Sequence, residues 1–116
     1  MSRTSREVFE DHLRISVEGT VEEDIARNYD NGVVILSSGG ISYGYDGLRD
    51  QAAKLHRELP NGTYHYTTRL IEGEMAFLEW TAESDGTRVR HGADSYLIQD
   101  GRIVAQTIHY TVAPVS

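Results

Sequence analysis

An aspartate set among aromatic and aliphatic residues is the most chemically suggestive position in this chain. Residues 91–110 read HGADSYLIQDGRIVAQTIHY. Alternate side chains of an extended backbone share a face, so Asp94 stands beside Gly92, Tyr96 and Ile98, with His91, Ala93, Ser95 and Leu97 opposite. A carboxylate on an apolar face is costly unless it is paired or protonated, which makes Asp94 a candidate acid or base with a raised pKa. The alternative is a structural carboxylate, held by a neighbouring tyrosine or by backbone at a bulge. By the same alternation Val104, Gln106, Ile108 and Tyr110 fall on one face, with Ile103, Ala105, Thr107 and His109 on the other. Tyr96, Gln106 and Tyr110 are therefore candidate ligand contacts, and equally candidates for packing.

Two more residues bear on the same site. Trp80 shares parity with Ala76, Leu78 and Ala82, and counting back from Asp85-Gly86 puts that set on the Asp94 side. There it floors a planar ligand, or is simply core. His12 sits among Phe9, Leu13 and Ser16 on an amphipathic helix, where it is either a base paired with Asp94 or a satisfied core histidine. Tyr43 and Tyr45 flank a loop expected at the mouth of the cavity, which makes Tyr43 a further candidate ligand contact.

Other chemistries find less support. The chain has no cysteine, so thiolate metal sites, disulfides and a Cys nucleophile are excluded. No Ser-His-Asp order can be assigned, and Gly39-Gly40 and Gly44 do not build a phosphate loop, since no Lys follows and no GxGxxG occurs. His91, His109 and Glu79 fall together on the other sheet face but match no metal spacing, so a polar outer face or a subunit contact is the better reading. The expectation is no metal and no cofactor.

The elements that must position these residues follow from local signals. Ser5 caps a helix running to about Glu18, with Val8, Phe9, His12, Leu13 and Ile15 inward, and Gly19 ends it. Thr20-x-x-Glu23 reads as a capping box for a short second helix with Ile25 and Tyr29 on its buried side, stopped by a turn at Asp30-Asn31-Gly32. Val33–Ser38 is a β-branched strand, and Ile41–Tyr45 its hairpin partner. Asp46 caps a third helix, in which Leu48, Ala52, Leu55 and Leu59 share a face and which Pro60-Asn61-Gly62 terminates. Then four strands run as a meander: Thr63–Ile71, Met75–Glu83, and the two arms joined at Asp100-Gly101, a hairpin-turn dipeptide. Helices followed by an antiparallel meander predict an α+β fold, with a curved sheet wrapped on the helices and a conical cavity between them.

Composition bounds the rest. A length of 116 residues without repeat, linker or low-complexity segment predicts a single domain over 1–116. The net charge of −7 offers no electrostatic footprint for phosphate backbones, so nucleic acid is not an expected partner. No apolar run has the length of a membrane span, and MSRTSREVFEDH carries no signal-peptide core, so a cytoplasmic protein is expected.

The order and spacing of four stretches carry a family resemblance. They are Ile25-Ala26-Arg27-Asn28-Tyr29-Asp30, Tyr43-Gly44-Tyr45-Asp46-Gly47-Leu48-Arg49, Ala76-Phe77-Leu78-Glu79-Trp80, and Gly92-Ala93-Asp94 with Asp100-Gly101-Arg102-Ile103-Val104. Over nearly its whole length the chain resembles the nuclear transport factor 2-like (NTF2-like) superfamily, in its bacterial branch of SnoaL-like domains, polyketide cyclases and ketosteroid isomerases. The resemblance implies an NTF2-like cone, with three N-terminal helices on a strongly curved, mainly antiparallel sheet enclosing a pocket.

It also allows specific activities to be weighed. Asp94 looks like the isomerases' oxyanion-hole Asp, which works when an apolar site keeps it protonated. Their general base falls at Ser37 or Ser38, and their oxyanion Tyr near His12 or Leu13, so only one of three roles is matched. The Asp-Arg-Asp set of limonene-type epoxide hydrolases falls near Trp80, Ala82 and Ile108 and is absent. An Asp-centred acid/base group of the SnoaL cyclase type remains, with Asp94 in that role. The expected ligand is a small hydrophobic or aromatic molecule, with a small carbonyl compound as substrate if there is chemistry. The alternative is a binding or dimerisation module of the same fold. The resemblance further implies a homodimer through the outer sheet face, around Glu79, His91, Thr107 and His109.

Overall fold

In a computed structural model, which describes residues 3–115, three helices precede most of a seven-stranded mixed sheet. The helices are α1 (Ser5–Glu18), α2 (Val21–Asn28) and α3 (Gly44–Glu58). The strands are β1 (Tyr29–Ser37), β2 (Gly40–Tyr43), β3 (Thr63–Glu72), β4 (Met75–Glu83), β5 (Thr87–Gln99), β6 (Arg102–His109) and β7 (Ala113–Pro114). Their order is β2-β1-β6-β5-β4-β3, with β7 pairing the start of β5. The meander is antiparallel throughout, while β1 joins β6 in parallel. The predicted α+β cone is the observed architecture.

Register irregularities at Tyr66/Thr68, Trp80/Ala82 and Leu97/Ile98 interrupt three successive ladders. Each extra residue bends its strand and adds twist, which curls the meander around the helices. The inner face carries Ala76, Leu78, Trp80 and Ala82 of β4, all buried, against Val8, Phe9 and Leu13 of α1. The turn between β5 and β6 has φ of 51° at Asp100 and 77° at Gly101, the pair of left-handed residues that a two-residue turn of this kind needs.

Several local expectations are corrected. The cap of α1 is Thr4, not Ser5: its hydroxyl accepts from the Glu7 backbone N–H at 3.1 Å while the Glu7 carboxylate accepts from the Thr4 N–H at 2.9 Å. Asp30-Asn31-Gly32 is not a turn. Strand β1 begins at Tyr29 directly from the end of α2, and its pairing with β6 absorbs these residues as an irregularity between Tyr29 and Val34. Tyr29 accordingly leaves the helix and faces inward from β1. Helix α3 starts at Gly44 with Tyr43 as its cap residue, leaving Asp46 in the first turn, where a carboxylate complements the helix dipole. Strand β5 begins at Thr87, four residues before the expected arm, because β7 supplies it with a second partner. The Leu97/Ile98 irregularity also shifts parity in β6: Ile103, assigned outward by simple alternation, is fully buried. No helix among the described residues is long and apolar enough to cross a membrane.

Candidate functional site

The fold brings His12, Trp80, Asp94, Tyr96 and Gln106 into one interior cluster. On β5, Asp94 lies opposite Leu78 of β4 and Ile108 of β6, and Tyr96 lies opposite Ala76 and Gln106. Trp80 faces Gly92, where an added Cβ would stand 2.3 Å from the indole Cε2. Glycine at 92 is therefore what lets the ring lie across β5. From there Trp80 Nε1 donates to Asp94 Oδ1 at 3.1 Å. The Tyr96 hydroxyl reaches Asp94 Oδ2 at 3.0 Å, and Gln106 Nε2 approaches the same oxygen at 3.5 Å.

Behind this layer α1 buries His12, whose Nε2 lies 3.1 Å from the Tyr96 hydroxyl. Its Nδ1 lies 2.7 Å from Oδ2 of Asp24, in the first turn of α2. One helical turn on, Asn28 Nδ2 donates to Asp24 Oδ1 at 2.8 Å, and Asn28 Oδ1 accepts from Arg3 at 2.9 Å. On the opposite side the Tyr29 hydroxyl donates to Gln106 Oε1. Polar groups thus run without a break from Arg3 through Asn28, Asp24, His12 and Tyr96 to Asp94. Each buried member has a partner, which offsets the cost of removing it from water.

Electrostatics follow from burial. Desolvation pushes the Asp94 carboxyl above its ordinary value of 3.8, outweighing the hydrogen bonds from Trp80 and Tyr96 and the nearby charge of His12, which pull it down. Burial likewise drives the phenols of Tyr96 and Tyr29 far up, aided by the charges of Asp94 and Asp24. Both remain neutral hydroxyls across ordinary pH. Burial lifts Tyr66, on the neighbouring strand, to about 12.

The cluster has a wet end and a dry end. Asp94 is half-buried, whereas Tyr96, Gln106, His12 and Asp24 are each 3–7% exposed. Tyr64 and Tyr110 flank the Trp80 ring at centroid distances of 5.7 and 5.5 Å. Tyr110 gives its hydroxyl to Glu58, so it serves this region as an aromatic wall. Two hollows open nearby. One of about 270 Å³ is lined by Ser37, Ser38, Lys54, Glu58, Ile108 and Tyr110. Another of about 490 Å³ lies between α1 and β3, against Leu13, Val17, Tyr64, Tyr66 and Arg69. Asp94 lines neither of these two.

Tyr43 is not brought to the cluster. It sits on β2 paired with Val34, 67% exposed at the edge of the sheet, because the hairpin folds outward before α3 begins. Asp24, Asn28 and Tyr29 are members that sequence reasoning missed. The available signal was spacing: Asp24, Ile25 and Asn28 lie one and four residues apart, so whatever buries Ile25 also buries its two polar neighbours. Among the described residues no group of three or more His, Asp or Glu is placed to hold a metal ion.

Comparison with known proteins gives the same picture at the level of fold. No curated protein matches the chain. Among solved structures, an NTF2-like protein of unknown function from Burkholderia xenovorans is 19% identical with a TM-score of 0.73, over 92% of this chain and 82% of that one. A second, from Cytophaga hutchinsonii, is 13% identical with a TM-score of 0.75, over 96% and 93%. SalBIII, an epoxide hydrolase/cyclase-like enzyme in pyran ring formation in the polyether salinomycin, is 12% identical with a TM-score of 0.77, over 96% and 95%. The SnoaL-like domain model matches residues 8–106, a span containing every member of the Asp94 cluster, and the chain belongs to that family.

Proposed function

We propose that this protein takes a small hydrophobic carbonyl compound and performs cofactor-independent acid/base chemistry on it, of the cyclase, isomerase or dehydratase type, with Asp94 as the acid/base group. One observation carries the reading: a tyrosine hydroxyl and, behind it, a histidine stand in hydrogen-bond series with a half-buried carboxyl whose pKa burial raises. A carboxyl of raised pKa can donate to a developing enolate, or, once ionised, remove a proton next to a carbonyl. Trp80 and Tyr110 offer aromatic surface beside Asp94 for the apolar body of such a substrate. Kinship with a family that includes cyclase-like folds supports the class and not the substrate.

The test is proton exchange. Cyclic and aromatic ketones incubated with the protein in D2O are followed by NMR for deuterium next to the carbonyl. The wild type should speed exchange, and Asp94→Asn should lose about 100-fold or more of it, the span one general acid/base group supplies. A second reading, a non-catalytic binding or dimerisation module, is favoured by two facts: protein donors already occupy Asp94, and it lines neither hollow. Wild-type exchange no faster than buffer for every ketone, with the same ketones still raising the melting temperature, decides for the module.

A further inference from the structure

We propose that Asp94, Tyr96, His12 and Asp24 form a proton relay holding one mobile proton, with Asp24 as the positioning residue that fixes the tautomer of His12. Its catalytic consequence rests on Asp94 being the acid/base group, while its proton inventory rests on the hydrogen-bond geometry.

Three contacts lie in series: Asp94 Oδ2 to Tyr96 Oη at 3.0 Å, Tyr96 Oη to His12 Nε2 at 3.1 Å, and His12 Nδ1 to Asp24 Oδ2 at 2.7 Å. Each needs one hydrogen. The last is filled from the imidazole. Asn28 shows why: its carbonyl oxygen faces the Arg3 guanidinium, which can only donate, so its amide N–H must face Asp24 Oδ1. Asp24 accepts there, and accepts the Nδ1 hydrogen at its other oxygen. That leaves two contacts and the single hydrogen of Tyr96, so one more proton completes the set.

The extra proton has two homes. With Tyr96 donating to Asp94, Nε2 must carry it, which gives an imidazolium beside an ionised Asp94. With Tyr96 donating to Nε2, Asp94 must carry it, which gives a carboxylic acid beside a neutral imidazole. The two forms have equal charge. They interconvert when the Asp94 O–H bond breaks as Tyr96 Oη takes the proton, while the Tyr96 O–H bond breaks as Nε2–H forms. Tyr96 is a neutral phenol before and after. The deep burial that disfavours its phenolate keeps it so.

The exposure gradient gives the relay its direction. Asp94 is the least buried member of the relay, while Tyr96, His12 and Asp24 are buried. A proton taken from a substrate carbon, whose bonding pair stays on the substrate as an enolate, arrives on Asp94. It passes through Tyr96 to His12, where ionised Asp24 steadies the imidazolium, and returns by the reverse path. The titratable and polar groups facing the relay are Tyr29 from β1, Tyr66 from β3, Trp80 from β4 and Gln106 from β6, besides its own members on α1, α2 and β5. Of these, Tyr66 and Tyr29 stay neutral well above ordinary pH.

The experiment is NMR on the full chain without substrate, reading the His12 ring nitrogens by 15N and the Asp94 carboxyl by 13C across pH. In the wild type Nδ1 should carry hydrogen throughout, and the Asp94 and Nε2 signals should move over the same pH steps. Tyr96→Phe should separate those steps. Asp94→Asn, whose amide copies the donor of the acid form, should require at least tenfold more acid to protonate Nε2, and it carries the test if Tyr96→Phe does not fold. A neutral His12 with bare Nδ1, or an Asp94→Asn variant whose His12 curves do not move, overturns the relay. Shared steps without ketone exchange keep the relay and remove Asp94 as a catalyst. Exchange with independent titrations does the reverse.

Discussion

Replacing Asp94 by Asn keeps the side chain's shape and removes a titration that burial shifts upward. The folded-state pKa is raised above 3.8, so folding favours the protonated form. A group of this kind contributes its full stability below the unfolded pKa, loses it as pH rises through the window up to the folded pKa, and contributes a constant cost above. Within that window the slope approaches about 1.4 kcal/mol per pH unit. Asp94→Asn has no such slope. The Asn carbonyl oxygen still accepts from Trp80 Nε1, and its amide N–H meets the Tyr96 oxygen, freeing the Tyr96 proton for His12 Nε2. Against this stand the weaker bond that a neutral acceptor makes with Trp80, a difference of about 1 kcal/mol, and the loss of the long 3.5 Å contact in which Gln106 Nε2 donates to Oδ2, since the Asn amide there cannot accept. The expected result is a variant that gains on the wild type as pH rises from 4 and is at least as stable at pH 7. Urea unfolding at half-unit pH steps, with equal m-values confirming a common unfolded state, measures it. A variant that falls progressively behind as pH rises would mean that the fold favours the ionised carboxylate, and would make Asp94 a structural acceptor.

Three further outcomes follow from the same geometry. Trp80→Ala should cost about 3–5 kcal/mol in denaturant unfolding, since the ring is 5% exposed and packed between Tyr64 and Tyr110; a loss well below that would mean that it borders an open, hydrated space. Gly92→Ala should cost about 1–3 kcal/mol by driving the indole off β5, and should shift the emission of the protein's single tryptophan; unchanged stability and emission would show that the ring does not lie there. On the outer sheet face Leu36, Ile41, Tyr43, Leu70 and Met75 are 47–67% exposed, with Leu36 beside Ile41 and Thr107, so we expect a homodimer through this face. Light scattering at micromolar concentration should give two subunits for the wild type and one for Leu36→Glu, and a one-subunit wild type refutes it.

The parts of the molecule that sequence could reveal are those set by local rules. Asp100-Gly101 marks its turn because both positions need positive φ, and Trp80 and Asp94 fall on one face because strand alternation survives between the bulges. Where a bulge intervenes the alternation fails, as at Ile103, and nothing in the local residues announces the extra one. The same holds for Asp30-Asn31-Gly32, which has turn chemistry but is drawn into β1 by a parallel partner some seventy residues away. In the site, Asp94 and His12 stood out because each is polar on an apolar face. Asp24 did not, since an acidic residue in a helix's first turn already has a sufficient local reason to be there. Its second role comes from the packing of α2 against α1, which no window of sequence contains.

The energetics of the cluster argue that stability alone does not explain it. A buried His–Asp pair and its attached hydroxyl and amides offset their own desolvation at best, and well-packed apolar residues of similar volume often do as well or better by about 1–4 kcal/mol. The surroundings could host such residues: Phe9, Leu13, Ile25 and Ile98 already form the core beside the cluster. What the polar version supplies instead is direction. Its members are ordered from a buried carboxylate held by Asn28 to a half-buried carboxyl held by Trp80, and the Asn28 end fixes Asp24 as the acceptor of the His12 Nδ1 hydrogen while the Tyr96 links stay reversible. A purely structural filler needs satisfied partners but no such gradient of exposure. A group that exchanges protons with something outside needs both: a wet end where a ligand can arrive, and a dry end where charge is matched and water is kept away.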